Sequence, residues 1–87
     1  MKFQLRIDIY PSPGSYKTRK IEITECFDAP DMDGAVDTAV RIAGDATRSV
    51  NSYYDFRGYD SRATLFLFND LGMIDRYVWC SDVVRLR

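Results

Sequence analysis

The sequence contains no histidine. The commonest general base and metal ligand is therefore missing, and a triad or zinc site built around imidazole is excluded. Cysteine is scarce as well. Cys26 and Cys80 are too few for a disulfide framework and lack metal-ligand spacing. With no histidine to activate either one, both read as reduced packing residues on opposite faces of a sheet. No glycine-rich loop leads into a Lys-Ser or Lys-Thr step, so a P-loop is out. Asp31, Asp33 and Gly34 offer a fragment of a calcium loop. Its first and twelfth ligand positions would be Ala29 and Val40, whose side chains carry no oxygen, and helix capping explains the aspartates without metal. Carboxylates as near in sequence as Asp55 and Asp60 arise easily by chance. The expectation is a protein that is not an enzyme and holds no cofactor and no metal.

Long apolar runs are also missing. None approaches the roughly 20 residues that cross a bilayer, so no membrane partner is expected. Arg6 and Asp8 fall where a secretory leader needs apolar residues, which points to the cytoplasm of a cell or of an infected host. A basic excess is absent too. The net charge is −1, and its distribution is uneven: +4 over residues 1–20, −6 over residues 21–47 and +1 thereafter. A protein that coats duplex DNA would show the opposite balance. Nine of the twelve basic residues are arginine, the side chain better suited to bidentate and stacked contacts.

What is present is enough for one core. The 87 residues are 46% hydrophobic and 14% aromatic, so residues 1–87 form a single folded domain rather than a disordered chain. Phe3, Leu5, Ile7 and Ile9 alternate with Gln4, Arg6, Asp8 and Tyr10, the period-2 signature of a strand with one apolar face. Pro11 to Ser15 reads as a loop. Arg19–Phe27 is a second strand, with Ile21 and Ile23 inward; Glu25 breaks its alternation and marks an edge or a bulge. Asp31 or Asp33 caps a helix in which Ala35, Ala39, Ile42, Ala46, Val50 and Tyr53 share a face. Gly44 is a candidate kink. Arg62–Phe68 and Met73–Cys80 are strands joined by a turn at Asn69–Gly72. Val83–Arg87 forms a short last strand, or continues the fourth past a bend at Ser81 and Asp82. The fold class is α+β, ββαββ with one helix on one face of an antiparallel four- or five-stranded sheet, in the spatial order 2-1-3-4.

Two features carry functional content. If Phe68 pairs with Met73, then Leu65, Leu67, Ile74 and Val78 lie on the helix side. Phe66, Phe68, Met73, Tyr77 and Trp79 lie on the other, with Arg62, Thr64 and Asp75. One helix cannot cover both faces, and an uncovered antiparallel face is ordinarily polar. An aromatic one is buried by loops, buried in a homodimer, or used for recognition. The second feature is Tyr53–Ser61, where Tyr, Asp, Arg, Gly and Ser together make the chemistry of a binding loop. The plainer account has Tyr53 completing the helix's apolar face and Phe56 plugging the core. A third stretch, with Lys17, Arg19 and Lys20, offers cations in a loop whose Pro and Gly content marks it as simply exposed.

The leading expectation is a protein-interaction module that binds a partner protein. It would be a small stand-alone inhibitor or accessory protein, of the kind phages direct at host machinery. The expected partner-binding residues are Tyr54, Arg57, Tyr59, Arg62, Phe66, Phe68, Tyr77 and Trp79. A homodimer is expected, and the acidic stretch Asp28–Asp45 offers a route to mimic nucleic acid. The alternative is a nucleotide or single-stranded nucleic-acid binder that stacks bases on Phe66, Phe68, Tyr77 and Trp79, disfavoured by the modest basic content. A structural subunit of an oligomeric assembly is the third reading.

Overall fold

A computed structural model of the chain describes residues 1–11 and 18–87. The proposed loop contacts of Lys17 lie outside them. The elements follow the order β1 (Lys2–Tyr10), β2 (Ile21–Asp28), α1 (Met32–Tyr54), β3 (Asp60–Phe68), β4 (Ile74–Cys80) and β5 (Val84–Arg85). The fold is α+β, an antiparallel sheet in the order β2-β1-β3-β4 with one helix. β5 also pairs with β3, through Asp60 with Arg85 and Ser61 with Val84, so it prolongs the line of β4 beyond the bend at Ser81.

β1 is central because its alternation supplies the most apolar face. Phe3, Leu5, Ile7 and Ile9 are fully buried, and each contributes roughly 1.5–3 kcal/mol on leaving water. Opposite them on β3, Ala63, Leu65 and Leu67 close the same layer. Ala35 and Ala39 are the buried residues of α1, and their small size lets the helix approach β1 and β3.

The helix begins where the sequence signals it. Asp31 is the N-cap, accepting a hydrogen bond from the Gly34 N–H at 2.7 Å. It then runs unbroken through Gly44 for 23 residues. Tyr53 departs from expectation. It is 80% exposed, so the apolar face ends at Val50 and Phe56 plugs the core instead.

Candidate functional site

The hairpin register decides which aromatics share a surface. Asn69 holds the turn open: its Oδ1 accepts from the Leu71 and Met73 N–H groups, at 2.9 and 3.1 Å. Phe68 therefore pairs with Ile74 rather than Met73. A bulge at Asp75 then sets Leu67 opposite Arg76 and Phe66 opposite Tyr77, and a second at Val78 sets Leu65 opposite Trp79. The tip slip and the first bulge cancel in parity, so Tyr77 does stand with Phe66 on the face away from the helix. The second bulge turns Trp79 over. It packs with Val78 against the core, two consecutive apolar residues that an unbulged strand would send to opposite faces.

This corrects three expectations. Trp79 is on the helix side and does not belong to an aromatic face with Phe66, Phe68 and Tyr77. Ile74 is on the open face and half exposed, not under the helix. Cys80 lies opposite Thr64, so both cysteines occupy the open face. They sit on strands at the two borders of the sheet, three spacings or roughly 14 Å apart, too far for a disulfide. Both are free thiols.

The open face has two chemically distinct ends. At the hairpin end Phe66 and Tyr77 meet edge to face, with ring centroids 6.5 Å apart, and the Arg6 guanidinium lies 5.3 Å from the Phe66 centroid. Phe68 and Ile74 continue this surface outward. Leu71 is 83% exposed and Met73 62% exposed beside them at the tip, and Tyr77 is 59% exposed. Parity alone puts Ile74 under the helix and gives Leu71 no role; the one local signal for Leu71 is a large apolar side chain in a turn.

The other end is an ion cluster around Asp8, whose side chain is 1% exposed. Arg19 Nη1 donates to Asp8 Oδ1 at 3.2 Å and also reaches Glu22 at 2.9 Å. Arg6 Nε lies 3.3 Å from Asp8 Oδ2, an ion pair without hydrogen-bond alignment. Arg62 is paired with Asp8 across the strands, and its Nε–H donates to Cys80 Sγ at 2.8 Å. Arg62 is thus half-buried and engaged within the sheet.

The 53–61 connection lies at the start of β3, whereas the hairpin tip lies at its end. The 9 residues of β3 place the two about 27 Å apart along the strand. They do not form one surface. Tyr54 is exposed and Tyr59 is half-buried against the core, its ring 5.2 Å from that of Phe56. Asp55 closes the helix in the left-handed region at φ 56°, its N–H donating to the Asn51 carbonyl. Arg57 is exposed and clamps Asp55, with Nε 2.7 Å from Oδ1 and Nη2 3.1 Å from Oδ2. That hydrogen bond holds the Asp55 carboxyl below its ordinary value.

Trp79 has a setting of its own. With Val40, Ala43, Thr47, Val84 and Leu86 it lines an apolar groove of about 270 Å³ between α1 and the β4–β5 border. No family model, curated protein or solved structure matches the chain.

Proposed function

We propose that the chain is a non-enzymatic protein-interaction module that acts by occupying a partner protein's surface, as an inhibitor or accessory subunit does. The observation that carries this reading is the apolar hairpin end of the open face. Phe66, Phe68, Ile74 and Tyr77 share that face, and Leu71 and Met73 extend it at the tip. Uncovered antiparallel faces are ordinarily polar, and exposed aromatic and aliphatic clusters are where protein partners find their anchors. Arg6 above Phe66 supplies a polar rim. The free, widely separated cysteines suit a reducing compartment such as the cytoplasm.

Tyr54 and Arg57 belong to a different end of the molecule and contribute only if the partner wraps around it. The nucleotide or single-strand reading is the weaker one. A stacking platform on this face lacks Trp79, and Phe66 and Tyr77 meet at 75° rather than offering a flat pair of rings.

The test uses Ile74→Asp and Tyr77→Ala, at exposed positions that leave the core intact. Both variants should keep the wild-type circular dichroism spectrum and lose the proteins that the wild type retains in affinity capture from its host's lysate. Light scattering over a dilution series separates self-association. A wild-type dimer that Ile74→Asp makes monomeric would assign the surface to a second copy. Retention of the same partners by both variants would contradict the reading.

A further inference from the structure

β2 ends the sheet on the side away from the hairpin, and it differs from β4 in being regular. It pairs with β1 from Lys2–Asp28 to Ile9–Ile21 without a slip. The phase of the ladder is fixed at its end. The Ala29 N–H donates to the Met1 carbonyl at 2.9 Å, and the Met1 ammonium donates back to the Ala29 carbonyl at 3.0 Å. Hydrogen-bonded and non-hydrogen-bonded pairs alternate from there. Ile21, Ile23, Glu25 and Phe27 therefore bond inward to β1, and the N–H and C=O groups of Glu22, Thr24, Cys26 and Asp28 point away from the sheet. Those outward groups have no partner among the described residues. The helix packs chiefly on β1 and β3.

From this geometry we propose that β2 accepts an extended segment of a partner protein as an added strand, and that the segment alternates apolar and basic residues. The main-chain groups of Glu22, Thr24, Cys26 and Asp28 supply the ladder. Specificity follows from the two rows of side chains. On the helix side the added strand meets half-buried Ile21, Ile23 and Phe27, which continue the core layer to the border. On the open face it meets Glu22 and Asp28.

Charge selects the occupant. Residues 21–37 contain Glu22, Glu25, Asp28, Asp31, Asp33 and Asp37 and no lysine or arginine. Arg19 pairs with Glu22, but the other five have no ion pair among the described residues. Pairing with β2 of a second copy would double these carboxylates in one ribbon, whereas a basic strand neutralises them. β4 does not compete, because its two bulges break the regular spacing that strand addition needs. This surface is separate from the hairpin end of the open face and does not depend on its function.

The probe is a blocked, fluorescein-labelled octapeptide alternating valine and lysine, with a valine–glutamate octapeptide as its counterpart. The valine–lysine peptide should bind the wild-type chain, more weakly as salt rises. It should slow amide exchange at Glu22, Thr24, Cys26 and Asp28, with little change at Ile23 and Glu25. Thr24→Pro removes an outward N–H without touching the β1 ladder and should lower affinity at least about tenfold, whereas Thr24→Val, which keeps the N–H, should not. Equal binding of the valine–glutamate peptide, or exchange slowed at neighbouring amides without alternation, would overturn the proposal. So would a dimer of the free protein that Thr24→Pro dissolves.

Discussion

The two halves of the sheet obey the same alternation rule with different results. In the β1–β2 half, eight consecutive pairs run without interruption, and every side chain falls on the face its parity assigns. In the β3–β4 half, the turn takes one more residue than its composition suggests and two bulges follow within seven residues. The first half has a fully buried row, Phe3 to Ile9, whose burial any one-residue slip would lose. β4 has no such row. Its burial is concentrated at Val78 and Trp79, and a bulge is the backbone solution that keeps both against the core. Register is rigid where apolar residues alternate strictly and gives way where they are adjacent.

Substitutions sharpen this contrast. Ile7→Ala, in the regular half, should cost about 3 kcal/mol in urea unfolding, through lost burial and the cavity left between sheet and helix. Asp8→Ala, on the open face of the same strand, should cost about 2 kcal/mol. The loss is of charge-assisted contacts to Arg6 and Arg19, which stay 37% and 41% exposed and so remain partly solvated. In the irregular half the test is a pair. Trp79→Ala should cost about 2 kcal/mol as a partly buried ring, and Tyr77→Ala, two residues away, less than about 0.5 kcal/mol. Equal costs for the two would break the comparison.

The smallest effect concerns pH. The Asp55 carboxyl, held by Arg57, should titrate below the ordinary value of 3.8 when followed by NMR. A folded carboxyl that binds its proton less readily than the unfolded one stabilises the fold above the unfolded value. That contribution fades as pH falls through the lowered folded value. Arg57→Ala should restore ordinary titration.

Much of the fold was legible because its signals are local. The alternation of β1, the Asp31 cap and the small residues of α1 each report on neighbours in the chain, and the strand order followed from the apolarity of β1. The proposed interaction surface was half legible. Parity alone puts Phe66, Phe68 and Tyr77 together, as the structure does, since the tip slip and the Asp75 bulge cancel. The same parity puts Trp79 and Cys80 on the wrong faces, because a bulge at Val78 leaves no mark in composition. The 53–61 loop has the residue types common in binding loops, but β3 carries it to the opposite end from the hairpin. That separation follows from the length of β3, Asp60–Phe68, which lies between the loop and the hairpin.

The most direct test of this account is a nuclear Overhauser spectrum centred on the Trp79 indole. The bulged register predicts cross-peaks to Ala43 and Thr47 of the helix, which line the same groove, and none to the Tyr77 ring. Indole cross-peaks to Tyr77 or Phe66 instead, with none to the helix, would place Trp79 on the open face and contradict it.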